Sequence, residues 1–140
     1  MDVTQLLDRQ AVVDLLTRYT RAVDTGDFAD LAHVFTEDAV LDYSSPGGPV
    51  GPPAEVVPWI QQGLAGFART QHVIGQISFE QNADVARATA YFTNPMVSLN
   101  PDGTEKLWEV GGYYHLQAVR TEVGWRLSGL TDDIVWTRGF

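Results

Sequence analysis

The stretch RYTRAVDTGDFADLAHVFTEDAVLDYSS, Arg18 to Ser45, decides the fold. Its first part continues an apolar repeat of Val12, Leu15, Leu16, Tyr19, Ala22 and Val23, with Asp14, Arg18 and Arg21 on the other side, the spacing of an amphipathic helix. Thr25-Gly26 stops this helix, the glycine supplying the left-handed residue that a helix end favours. Asp27 is then placed to cap a short second helix carrying Phe28, Leu31, Val34 and Phe35. Asp24 therefore stands at a helix end, where an acidic side chain opposes the macrodipole and calls for a reason. After Glu37-Asp38 the run Ala39-Val40-Leu41 leads into Asp42-Tyr43, and SSPGGPVGPP breaks regular structure, which makes this loop a candidate pocket rim.

Downstream, a third helix is expected from Pro53, with Val56, Val57, Trp59, Ile60, Leu64 and Phe67 on one side. Four strand-like segments follow, near 72–80, 84–98, 104–121 and 125–136, separated by turn signals and read as successive antiparallel hairpins. Helices first and a meander afterwards predict an α+β domain in which three helices cover one face of a curved, mainly antiparallel sheet. Alternation puts Trp108, Val110, Tyr114, Leu116 and Ala118 on the inward face, and Glu109, Tyr113, His115 and Gln117 on the other. On the preceding strand Ala86, Ala88, Ala90 and Phe92 leave room beside the sheet, so Asn94 and Met96 are candidate pocket residues. Gly111-Gly112 marks a bulge or bend.

A chain of 140 residues with 44% hydrophobic content suffices for one domain, residues 1–140, and not for two. Eighteen acidic against nine basic residues give a formal charge of -9, which repels nucleic acid and anionic membranes at long range. The absence of cysteine removes disulfides, thiolate nucleophiles and Cys-ligated metals. Asp2, Asp8, Arg9 and Asp14 interrupt the N-terminal apolar pattern, so neither a signal peptide nor a membrane span is expected, and a cytoplasmic location follows.

The histidines are His33, His72 and His115, with no HxxxH pair and no carboxylates spaced as metal ligands. PGGPVG lacks the Lys-Ser/Thr of a phosphate loop, and no GxSxG elbow or dinucleotide fingerprint occurs. Acid–base chemistry remains. Histidine moves protons near neutral pH, and a carboxylate bonded to one ring nitrogen fixes its tautomer, which makes Asp24 a candidate partner for His72. Against this stands the ordinary reading of His72 as a half-exposed residue at a strand start. Tyr19 and Tyr43 read equally as core or rim aromatics, His115 as surface or subunit interface, and His33 as surface.

Taken together, Arg18–Ser45, TQHVIGQISFE (Thr70–Glu80) and GWRLSGLTDDIVW (Gly124–Trp136) resemble the scytalone dehydratase family. More broadly, the Y-x4-D-x2-D pattern followed by FTEDAV resembles the nuclear transport factor 2-like superfamily, which includes SnoaL-like polyketide cyclases, ketosteroid isomerases and hexachlorocyclohexane dehydrochlorinase. The resemblance implies a cone-shaped α+β barrel whose helices and sheet enclose an apolar pocket, Asp24 and His72 as the acid–base dyad, and Tyr43 polarising a substrate carbonyl through a water. It also implies a homo-oligomer, dimer or trimer, for which the face with Arg87, Thr89, Tyr91, Tyr113 and His115 is suited. The sequence departs from the family pattern at Val23, where a tyrosine is expected and Tyr19 could substitute, and near Asn94-Pro95, where a second histidine is missing. The family's Ser and Asn fall near Gly112 and Tyr114. No long C-terminal tail follows Phe140, so a different substrate and a more open mouth are expected.

The expected function is a lyase that eliminates water from a β-hydroxy ketone or cyclic polyketide-like substrate. His72 would take the α proton and deliver it to the departing hydroxyl, with Asp24 orienting the ring. Tyr43, with Tyr19 or Tyr114, would hold the carbonyl oxygen. Phe35, Trp59, Phe67, Phe92, Met96, Trp108 and Trp136 would form the apolar wall, with Val23 and Asn94 beside the substrate. No cofactor is required. The alternatives are a polyketide cyclase or ketosteroid-type isomerase using the same dyad, and a binding module that has lost turnover.

Overall fold

The first regular element starts at Asp2. Its carboxylate accepts the Gln5 backbone N–H at 2.8 Å, and the Gln5 side chain accepts the Asp2 N–H at 3.0 Å, a capping box that opens helix α1 (Val3–Thr25). Gly26 closes the helix at φ 78°. The computed structural model describes residues 1–140. After α1 come a 3-10 segment (Phe28–His33), strands β1 (Phe35–Asp42) and β2 (Val50–Gly51), helix α2 (Pro53–Leu64), and strands β3 (Arg69–Thr70), β4 (Val73–Asn82), β5 (Val85–Leu99), β6 (Glu105–Thr121) and β7 (Gly124–Arg138). No helix is long and apolar enough to cross a membrane.

Two expectations fail between α1 and α2. The second helix is a six-residue 3-10 segment, and Asp27 makes no side-chain cap. Phe35, expected at its end, opens β1 instead. The reason is long-range: Leu127 donates its N–H to the Val34 carbonyl at 2.8 Å, and Phe35 pairs with Leu127 in a parallel ladder between β1 and β7. A helix this short has little cooperative stability with which to resist that pairing.

The seven strands form one curved sheet in the order β2-β1-β7-β6-β5-β3, with β4 also on β5. β4 to β7 are antiparallel neighbours, as expected for a meander. α1 lays Val12, Leu15, Leu16 and Tyr19 into a core shared with Leu41, Leu116, Leu127 and Leu130. Each fully buried leucine contributes roughly 1.5–3 kcal/mol. At the other end of the helix, Asp8 Oδ2 accepts from Gln81 Nε2 at 2.7 Å and Arg120 Nη2 at 2.8 Å, while Oδ1 accepts from Trp125 Nε1 at 3.0 Å. These charge-assisted bonds hold the Asp8 carboxyl well below the usual range and tie α1 to β4, β6 and β7.

β7 carries two irregularities that decide which side chains face inward. Between Gln117/Ala118 and between Gly111/Gly112 the pairing slips by one residue on the β7 side, leaving Ser128 and Val135 as the extra residues. Each slip reverses the alternation beyond it. A Cβ on Gly112 would lie 2.0 Å from the Asp133 carbonyl oxygen, a backbone atom that cannot turn aside. Gly112→Ala is therefore expected to force β6 and β7 apart and cost on the order of 1–3 kcal/mol. Urea unfolding would show a lower midpoint with an unchanged slope; an unchanged midpoint would mean the strands separate freely here.

Candidate active site

Between the two helices and the concave face of the sheet lies a cavity of about 670 Å³. α2 contributes Trp59, Ile60 and Leu64, β5 contributes Phe92, Asn94 and Met96, and β6 contributes Val110 and Tyr114. Ser45, Pro46 and Gly47 form part of the wall, so the Gly/Pro-rich loop does border the pocket. Phe140, the last residue, also lines it.

His72 lines this cavity, and Asp24 meets the ring from behind without lining the cavity itself. The His72 backbone N–H donates to Asp24 Oδ2 at 2.8 Å, and ring Nδ1 lies 2.6 Å from Asp24 Oδ1. A carboxylate only accepts, so Nδ1 donates to it, and in the neutral ring this tautomer leaves the lone pair on Nε2. The side chains are 6% and 15% exposed. Asn94 steadies the approach: its side-chain N–H groups donate to Thr70 Oγ1 at 2.8 Å and the Gln71 carbonyl at 3.0 Å, in the two residues that precede His72. This also explains the acidic residue at the end of α1, which answers the imidazole instead of the helix dipole.

The tyrosines form a second group. The Tyr19 and Tyr43 hydroxyls hydrogen-bond to each other, and the Tyr114 ring stacks on Phe92 with centroids 4.0 Å apart and meets Tyr19 edge-on at 5.8 Å. Burial pushes all three hydroxyls above the usual tyrosine range. At neutral pH they are fixed neutral donors. Because one member of the Tyr19–Tyr43 pair donates to the other, the accepting hydroxyl still has its own O–H to donate.

Four expected wall residues stand elsewhere. Val23 is buried in the core and away from the cavity, on a side of α1 that packs against protein. Phe35 lies beneath Tyr19, ring edge to ring face at 5.9 Å, because it starts a strand instead of ending a helix. Trp108 stands one layer back, behind Phe67 and Phe140, with its indole N–H donated to Ser98 Oγ at 2.7 Å. Trp136 points outward at 42% exposed, since the extra residue Val135 reverses the alternation and places Thr137 at the cavity instead. Its indole covers Gly111, where a Cβ would sit 2.2 Å from the ring. Tyr19, Tyr43, Trp59, Phe67, His72, Phe92, Asn94, Met96 and Tyr114 all line the cavity.

Of the lining residues unread in the sequence, which include Thr137 and Phe140, one carries an ionisable group. Asp132, on β7 opposite Tyr114, is 8% exposed and makes no side-chain hydrogen bond, with Oδ1 fully occluded. Burial, and secondarily the charge of Asp133, push its carboxyl up to about 7. A signal was present: Leu130, Asp132 and Ile134 share one face of a strand, so one of the paired aspartates had to face inward.

The SnoaL-like domain family model matches residues 4–131. The chain belongs to the SnoaL-like family. An uncharacterised Mycobacterium tuberculosis protein, Rv2910c, is 35% identical over 127 residues, covering 91% of this chain and 85% of that one. The crystal structure of Kfla4162 from Kribbella flavida superposes with a TM-score of 0.87 at 25% identity, over 96% of this chain and 95% of that one. A candidate scytalone dehydratase from Novosphingobium aromaticivorans reaches the same TM-score, 0.87, at 16% identity over 100% and 92% of the two chains. At that identity the likeness is one of fold. The SnoaL-like resemblance read from the sequence therefore stands.

Proposed function

We propose that this SnoaL-like protein is a cofactor-independent lyase that eliminates water from a small, uncharged β-hydroxy ketone, ring-shaped and largely apolar. The observation that carries the reading is the imidazole clamped by Asp24 through two hydrogen bonds, with Nε2 as its free base at an aromatic cavity. Nε2 of His72 takes the proton α to the carbonyl. The tyrosine hydroxyls, led by Tyr43, hold the carbonyl oxygen as it gains charge, a role that suits donors whose own protons are held firmly. Trp59, Phe67 and Met96 give the cavity an apolar wall that limits water at the reacting centre, which strengthens each of these interactions.

The likeness in fold to a candidate scytalone dehydratase supports elimination over cyclisation or isomerisation, although all three begin with the same proton abstraction. The test is a panel of cyclic β-hydroxy ketones followed by the ultraviolet absorbance of the conjugated enone. Enone formation above the buffer rate is expected for at least one ring size. Saturable binding without any enone would sink the lyase and leave a binding module.

A further inference from the structure

Asp132 has no part in the chemistry above, and its surroundings are unusual for a carboxyl group. It projects into the cavity from β7, more than nine-tenths buried, with no side-chain hydrogen bond and no basic partner. The titratable groups that share the cavity with it are Tyr19 from α1, Tyr43 from the loop after β1, Tyr114 from β6 and His72 from just before β4, and its charge acts on all three tyrosine hydroxyls. Asp133, its neighbour, points to the outer face, where it accepts from His115 Nε2 at 2.9 Å. Evicting an unpaired carboxyl from a wall of this kind would be simple, since an apolar residue of similar size avoids a desolvation cost of several kcal/mol. The group is therefore placed where it touches a ligand or nothing.

We propose that Asp132 is the general acid of the site, giving its carboxyl proton to the oxygen that leaves the substrate while His72 takes the proton from carbon. This rests on the lyase reading and divides between two groups the work that the sequence assigned to His72 alone. The arrangement favours the division. Asp24 holds the imidazole by ring and backbone, so Nε2 addresses one point, whereas Asp132 enters from a strand on another wall. The C–H electron pair becomes the enolate and then the new double bond. The C–O pair leaves with the oxygen, which takes the Asp132 proton and departs as water. The imidazolium proton returns to the Asp132 carboxylate through solvent once the product has gone. A carboxyl raised to near neutrality can both give and recover a proton, whereas the tyrosines, raised by the same burial from a range already far above neutrality, keep theirs. The substrate class narrows accordingly to neutral molecules with a poor leaving group. Carboxylates are disfavoured because no lysine or arginine lines the cavity to pair with them.

The experiment compares two leaving groups on one ring, 3-hydroxycyclohexanone and 3-(4-nitrophenoxy)cyclohexanone, with wild type, Asp132→Asn and His72→Ala, all confirmed folded by circular dichroism. Nitrophenolate departs without a proton. Asp132→Asn should slow the hydroxy ketone about 10²–10⁴-fold and the nitrophenoxy ketone less than about tenfold. In wild type, kcat/KM for the hydroxy ketone should fall above about pH 7, the nitrophenoxy ketone showing no such limb. Equal losses on both substrates, or no loss, would overturn the assignment while leaving the lyase intact, and so would identical wild-type pH profiles, which need no variant. Wild type no faster than His72→Ala on either ketone would sink the lyase reading itself and the acid with it.

Discussion

Replacing His72 with alanine is expected to leave enone formation close to the uncatalysed rate, a loss of about 10²–10⁴-fold in kcat from the base alone. Asp24→Asn should come within about tenfold of that loss, although it only exchanges one oxygen for an NH₂ group outside the reacting centre. The carboxylate accepts two hydrogen bonds, one from the His72 backbone and one from Nδ1. An asparagine supplies a single acceptor. If its oxygen keeps the backbone N–H, its NH₂ group faces Nδ1, which must then accept, and the ring proton moves to Nε2. The nitrogen at the cavity becomes a donor with no lone pair for a C–H proton. Since the fault is the tautomer, the loss should fall on kcat, with KM little changed. The double variant should be no worse than the worse single one, because the pair acts as a unit. Wild-type turnover by folded Asp24→Asn would show that the contact is structural.

How far the sequence could be read depended on whether the deciding contact was local. The end of α1 was legible because Gly26 and the broken apolar repeat lie next to one another, and Asp24 and His72 stood out because each was odd in its own setting. β1 was hidden, since its partner β7 lies some ninety residues away and nothing near Phe35 announces a parallel ladder. Phe35 was misplaced for that reason. Trp136 failed through parity: one extra residue at Val135 turned every later side chain over, and the only local hint was Gly111-Gly112 on the facing strand. Counting back to Leu130, on the near side of that bulge, would have placed Asp132 inward. Trp108 shows a different limit, since the inward face of a strand extends beyond the cavity and alternation does not say which inward residues reach it.

Asp132→Asn should make the protein more stable, by an amount that grows with pH. An aspartate free in the unfolded chain ionises near 3.9, while in the folded protein burial pushes Asp132 up to about 7. Below about pH 4 both states hold the proton, so the side chain costs nothing extra. Between about pH 4 and pH 7 the unfolded chain releases its proton and the native state does not, so wild-type stability falls as pH rises, at about 1.4 kcal/mol per pH unit. Above about 7 both are ionised and the deficit levels off, with a ceiling of about 4 kcal/mol. The cavity is open at its rim, and water reaching the carboxylate reduces this, so a gain of about 2–4 kcal/mol is expected for the variant at pH 8. The substituted amide does not titrate, and the variant's curve should stay flat where the wild type slopes. Urea midpoints for both proteins, measured from about pH 4.5 to pH 8.5 across the expected transition, decide the matter; parallel curves would mean that Asp132 ionises normally. A stabilised protein that has lost dehydration of the hydroxy ketone would show that the unpaired carboxyl is kept for its proton, at the expense of the fold that holds it.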